Sequence, residues 1–156
     1  MTKTAPAAEA LLLDNQLCFM VYRLHRGITD LYRPVLSDLG LTYPQYLVML
    51  VLWESDPLTV SAIGDRLSLD SGTLSPLLKR LEGAGLVTRA RSHVDERSVE
   101  IALTAEGAQL RERAARVPMA IGECLAASPD EYGAVREFLS GLLCRVDAAL
   151  AGDRSG

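Results

Sequence analysis

Thr59-Val60-Ser61-Ala62-Ile63-Gly64-Asp65-Arg66-Leu67-Ser68-Leu69-Asp70-Ser71-Gly72-Thr73-Leu74-Ser75-Pro76-Leu77-Leu78-Lys79-Arg80-Leu81-Glu82-Gly83 is the stretch that decides the fold. Thr59 can cap a short helix over Val60–Leu67, with Val60, Ile63 and Leu67 on one face. Asp70 or Ser71 can cap a second helix to about Glu82, whose inward stripe is Leu74, Leu77, Leu78 and Leu81. Only Ser68-Leu69-Asp70 joins them, a connection short enough for a helix-turn-helix. Gly83 and Gly85 stop the second helix. Residues 86–91 and 98–103 then alternate like strands, with Val99, Ile101 and Leu103 on one face, around a polar loop at 92–97. Helix, turn, helix and a hairpin with a basic tip is the order of a winged helix-turn-helix, here over about residues 57–103. The fold class expected is mainly α (α+β).

Upstream, an amphipathic helix is expected over about 10–36. Leu17, Val21, Leu24, Ile28, Leu31 and Val35 keep a seven-residue repeat, and Cys18, Tyr22, His25, Thr29 and Tyr32 form a second line about 100° around it. Pro34 and Gly40 mark its end. Thr42 and Pro44 open a helix to about Glu54, apolar nearly all round and therefore central, and Asp56-Pro57 makes a turn. Downstream, Thr104 caps a helix to about Ala127 that Pro118 bends, and Ser128-Pro129-Asp130-Glu131 starts the last one with a capping box. Its apolar line is Val135, Phe138, Leu142, Val146 and Ala149. These terminal helices are longer than a winged helix needs, and their stripes want a partner. Either they fold back on their own domain or, as a homodimer, bury each other across a two-fold axis, which lets two reading heads meet two half-sites. The expectation is a single domain, 1–156, with dimerisation helices at about 10–36 and 104–150.

Composition sets the outer limits. At 156 residues, 49% hydrophobic and 23% charged, the chain buries enough surface to fold without a metal or disulfide. Its longest apolar run, Tyr46 to Trp53, is far below the ~18 residues of a membrane span, so no membrane partner is expected. Glu9 and Asp14 break any secretory pattern, and three scattered cysteines suit a cytoplasmic protein. The net charge of −4 argues against nucleic acid as a whole, but its distribution does not. Residues 71–97 carry five bases against three acids, while 1–70 and 98–156 are each net −3. Catalytic elbows and phosphate loops are missing, and Gly83-Ala84-Gly85 runs from helix to strand, the wrong order for a dinucleotide turn. With two histidines and no closely spaced cysteine pair, neither a metal nor a cofactor is expected.

Two sets of residues carry chemistry. Asp70, Ser71, Thr73 and Ser75 put small polar groups near the start of the second helix, where base edges can approach, and Lys79 lies nearer its other end. Arg91, Asp95 and Arg97 flank the hairpin tip, where an arginine held by a carboxylate can enter a narrow minor groove. The bland reading is a solvated surface. The second set is Cys18 with its tyrosines, four of the five tyrosines falling between residues 22 and 46. Tyr22 can reach Cys18 on its own helix or across an interface; Tyr32, about 21 Å along the axis, approaches only from a second chain or a bent segment. Phenol hydroxyls can donate to a thiolate or sulfenate. Asp14 opposes thiolate formation unless it faces elsewhere, and a lone cysteine on such a helix is more often a small buried hydrophobe.

Leu13-Asp14-Asn15-Gln16-Leu17-Cys18-Phe19, Leu41-Thr42-Tyr43-Pro44-Gln45-Tyr46, Leu69-Asp70-Ser71-Gly72-Thr73 and Asp95-Glu96-Arg97-Ser98 resemble the organic-hydroperoxide-sensing repressors of the MarR family, from about residue 10 to 118. The resemblance implies a homodimeric winged-helix repressor of a double-stranded DNA operator, released when an organic hydroperoxide oxidises Cys18. It implies that Tyr22 and Tyr32 contact that cysteine from the other subunit, and that Cys124 is the resolving cysteine of a two-cysteine type. Cys144, beside Leu142 and Leu143, is read as buried and inert. Other functions remain in play: a MarR-type repressor released by a small phenolic ligand, a thiol peroxidase, disfavoured by the missing C-x-x-C and βαβ patterns, or a winged-helix protein-interaction module.

Overall fold

The computed structural model describes residues 7–91, 98–125 and 128–153. Its elements are α1 (Ala7–Ala10), a 3-10 turn (Leu13–Asn15), α2 (Leu17–Ser37), α3 (Tyr43–Glu54), β1 (Leu58–Thr59), α4 (Val60–Leu67), α5 (Ser71–Gly83), β2 (Val87–Arg91), β3 (Val99–Leu103), α6 (Ala105–Ala114), α7 (Val117–Leu125) and α8 (Pro129–Asp153). Residues up to Pro118 form one compact unit and those from Met119 a second.

The first unit is a winged helix-turn-helix, and its element starts are set locally. At the head of α3, Gln45 Oε1 accepts from the Thr42 backbone N–H at 2.8 Å and its hydroxyl at 3.0 Å. α3 is central, burying Tyr46, Val48, Met49, Val51, Leu52 and Trp53. Thr59 caps α4 by accepting from the Ala62 N–H, and Asp70 caps α5 by accepting from the Thr73 N–H. In the turn between them Ser68 takes φ 54° and the Leu69 N–H returns to the Gly64 carbonyl at 2.9 Å. Gly64 has to be glycine, because a Cβ there would lie 2.7 Å from the Leu69 oxygen. At the far end of α5, Gly85 at φ +72° lets its own N–H and that of Leu86 reach back to the Glu82 and Leu81 carbonyls.

Leu74, Leu78 and Leu81 hold α5 to the core, each fully buried and worth about 1.5–3 kcal/mol. The sheet order is β1-β3-β2, all antiparallel, with Leu58 opposite Ile101 and Val87 opposite Leu103. Asp56 Oδ1 accepts from the Leu103 N–H at 2.8 Å, fixing the foot of the hairpin to the turn after α3.

Several expectations are corrected. The first long helix starts at Leu17, not near residue 10, because the side-chain amides of Asn15 and Gln16 take the carbonyls of Glu9 and Ala10. Pro34 lies inside α2, which runs on to Ser37. Pro118 does not bend one long helix. It sits in the first turn of α7, where its missing N–H costs nothing, and the helix before it ends at Ala114. β1 was not expected. Cys144 is exposed, because most of α8 is bare to solvent in a single chain.

Candidate nucleic-acid interface and thiol site

The three leucines that anchor α5 define its other face. Ser71, Gly72, Thr73, Ser75, Pro76, Lys79 and Arg80 are all exposed there. Asp70 and Thr73 hold each other, Oδ1 accepting from the Thr73 N–H and Oδ2 from its hydroxyl, both at 2.9 Å. The Thr73 N–H, then its hydroxyl, keep the Asp70 carboxyl below the usual carboxylate range. Ser75 donates to the Ser71 carbonyl at 2.7 Å. Of the sequence candidates, Asp70, Ser71, Thr73, Ser75 and Lys79 therefore share one helix and its cap, and Arg91 stands exposed at the end of β2. Asp95 and Arg97 lie outside the described residues.

Cys18 is the second residue of α2 and is exposed. The N–H groups of a helix's first turn have no intrahelical acceptor and favour negative charge. Around Cys18, Leu17, Met20, Val21, Tyr22 and Leu24 are each about half exposed, which makes this an apolar helix end. The Arg26 guanidinium lies 5.8 Å from the centre of the Tyr22 ring and reaches its hydroxyl at 3.5 Å. Tyr32 stands over three turns further along α2, so one chain does not bring it to Cys18. It packs instead against Tyr43 at 4.7 Å and Tyr46 at 6.0 Å, and Tyr46 meets Trp53 at 6.3 Å. Burial raises the Tyr43 and Tyr46 phenols above their ordinary value, with mutual repulsion adding to the effect on Tyr46. Both phenols stay protonated at neutral pH. Cys124 is exposed on α7 and Cys144 on α8.

Sequence reasoning gave no role to Tyr43 and Tyr46 beside Tyr32, although their motif was noticed; the signal was the i, i+3 spacing at the head of a buried helix. Among the described residues there is no group of three or more metal-ligating side chains, and no helix is long and apolar enough to cross a membrane.

Residues 41–99, from the head of α3 to the start of β3, match the model of the MarR family. The organic hydroperoxide resistance transcriptional regulator of Bacillus subtilis is 55% identical over 110 residues, covering 70% of this chain and 75% of that protein. The chain belongs to the MarR family. Among solved MarR-type structures, reduced AbfR bound to DNA is 40% identical with a TM-score of 0.79, over 91% of this chain and 97% of the other. Disulfide-formed AbfR, also 40% identical, matches at 0.62 over 92% and 95%; a further structure gives Staphylococcus epidermidis as the source of AbfR. The relatives are transcriptional regulators, and the winged helix-turn-helix seen here is the MarR architecture.

Proposed function

We propose that this MarR-family chain is a homodimeric cytoplasmic repressor that holds a double-stranded DNA operator while Cys18 is reduced and lets go once an organic hydroperoxide oxidises it. The observation carrying this reading is the placement of Cys18: an exposed thiol in the first turn of α2, amid apolar side chains left half bare. An apolar surround suits an organic peroxide better than hydrogen peroxide. The B. subtilis relative's name and the reduced, DNA-bound and disulfide forms of AbfR support it.

The reading head is α5 with its cap: Ser71, Thr73 and Ser75 approach base edges, Asp70 holds Thr73 in place, and Lys79 and Arg91 neutralise phosphates, with Asp95 and Arg97 assigned to the hairpin tip. In the sensing step the Cys18 thiolate attacks a peroxide oxygen. The O–O bond breaks, the alcohol leaves with a proton, and a sulfenic acid remains. Tyr22 and Tyr32 of the second chain donate to that oxygen. The thiol of Cys124 of the second chain then displaces it as water, forming an inter-chain disulfide. Closing that bond requires α-carbons within about 7 Å, which shifts the dimer helices and so the spacing of the two α5 helices. The reaction is stoichiometric, unlike that of a peroxidase.

A cleft of 210 Å³ between α3 and α6, lined by Tyr46, Leu50, Trp53 and Arg111, favours the ligand-released alternative. That cleft is smaller than the roughly 300 Å³ at which small-molecule sites begin, and the thiol reading rests instead on the exposure of Cys18. A gel shift on the DNA upstream of the chain's own gene tests it. Tert-butyl hydroperoxide should release the wild type, and a thiol reductant should restore binding. Release of Cys18→Ser by the same dose would transfer the role to a ligand. Repeated consumption of peroxide in the presence of a thiol reductant would make the protein an enzyme.

A further inference from the structure

Among the described residues near α5, Arg80 and Arg89 are cations to which the DNA reading gives no role. Arg89 stands opposite Ile101 in the β2–β3 ladder, and directly opposed residues share a face of the sheet. On that face Ile101 and Val87 are buried, so the inner side of the hairpin changes from apolar core to guanidinium in a single two-residue step. Arg89 is exposed and has no side-chain partner among the described residues. Arg66, by contrast, is paired with Glu54.

Arg89 borders an open cleft of 340 Å³ shared with Ser61 at the start of α4, Ser75 on α5, and Ser98 and Val99 at the tip end of β3. The Thr59 and Ser61 hydroxyls are 3.1 Å apart. Thr59 can donate to Ser61, which leaves the Ser61 O–H for a ligand. Ser75 keeps the gap open by being small.

The geometry points to this cleft as a clamp for one DNA phosphate, with Arg89 as the positioning residue; the inference rests on the DNA-binding reading above. With α5 in a major groove and the hairpin tip in the adjacent minor groove, the two are separated by one sugar–phosphate strand. That strand has to pass between α5 and the hairpin, which is where Arg89 projects. A guanidinium offers two parallel N–H groups to a phosphate, and Ser61 offers a third donor. The clamp carries no base information. It fixes how deeply α5 seats in its groove, and so sets the register for the side chains that read.

The test uses the full-length dimer on two duplexes, the region upstream of its own gene and a random sequence of equal length. Arg89→Ala should weaken binding to both by a similar factor, about tenfold as for loss of a hydrogen bond to a charged group. The slope of log affinity against log salt should fall by about 1.8, or 0.9 for each subunit's phosphate. Arg89→Lys should keep the slope and lose part of the affinity. A wild-type measurement covers the case in which the alanine variant does not fold: methylphosphonates at the phosphate between the two grooves in both half-sites should lower the slope equally, by about 1.8. An unchanged slope in both measurements, with wild type still binding steeply, overturns the clamp alone. Loss confined to the upstream duplex would make Arg89 a base reader and also overturn it. If wild type binds neither duplex, the DNA reading falls and the clamp with it.

Discussion

Trp53 donates its indole N–H to the carbonyl of Gly107 at 2.8 Å, joining the end of α3 to the first turn of α6. Gly107 is also where the hairpin returns, since a Cβ at that position would lie 2.0 Å from the Leu86 oxygen. Thr104 completes the junction, accepting from the Gly107 N–H and donating to the Gly85 carbonyl. The central helix, the end of α5 and the last strand therefore meet at one backbone crossing.

Gly107→Ala should accordingly destabilise the fold by about 1–3 kcal/mol through overpacking, and Trp53→Phe by about 0.5–1.5 kcal/mol through loss of the indole hydrogen bond. Urea unfolding followed by circular dichroism measures both. A Gly107→Ala variant as stable as wild type would mean that the Leu86 and Gly107 backbones do not approach so closely.

Asp70 gives a pH signature. Its carboxyl titrates below the ordinary value when folded, so its contribution is complete above the unfolded value of about 3.9. That contribution is lost as pH falls through the lowered one. Asp70→Ala should be less stable than wild type at pH 7, and the gap should narrow as the pH drops below about 4. A gap of constant size down to the acid transition would show that the cap bonds do not depend on the charge.

The cysteines separate by role on a non-reducing gel after hydroperoxide treatment. Cys18→Ser should hold the operator and form no inter-chain disulfide. Cys124→Ser should still oxidise at Cys18 but lose the inter-chain band and drift to over-oxidised or mixed-disulfide forms. Cys144→Ser should behave as wild type. Because Cys144, like Cys124, is exposed, an inter-chain band that disappears only in Cys144→Ser would reassign the resolving role.

Assembly is tested by truncation. Leu11, Leu12 and Leu13 before α2, and Tyr132, Val135, Phe138, Leu143, Val146 and Leu150 on α8, are all more than two-fifths exposed in one chain. Removing residues 1–16 and 129–156 should abolish the dimer on size-exclusion chromatography with light scattering. A truncated chain that stays dimeric and binds the full operator would place the interface elsewhere.

The helix-turn-helix was legible because its signals are local. Thr59, Asp70 and Thr104 each cap a helix within three residues of themselves, and Leu74, Leu78 and Leu81 repeat at helical spacing. What was missed depends on partners distant in sequence or on very short elements. Two residues, Leu58 and Thr59, cannot show strand alternation, yet they pair with Ile101 and Glu100. The start of α2 was set too early because apolar periodicity cannot anticipate Asn15 and Gln16 competing for the carbonyls behind them. The leucines beside Cys144 predict burial, but a stripe bare in one chain looks the same as a core stripe in sequence. In sequence Arg89 is only one of the five bases of residues 71–97, and its strand partner Ile101 reveals which face it occupies.

The partition of α5 has an evolutionary corollary. Its fold-bearing line, Leu74, Leu78 and Leu81, and its outward line share no residue. Exposed changes at Ser71 or Ser75 cost roughly 0.5 kcal/mol or less, so on the proposed DNA-binding reading a copy of this regulator can drift, after gene duplication, to a new operator through single substitutions. Each intermediate along such a path still folds, and still carries the same thiol at the head of α2.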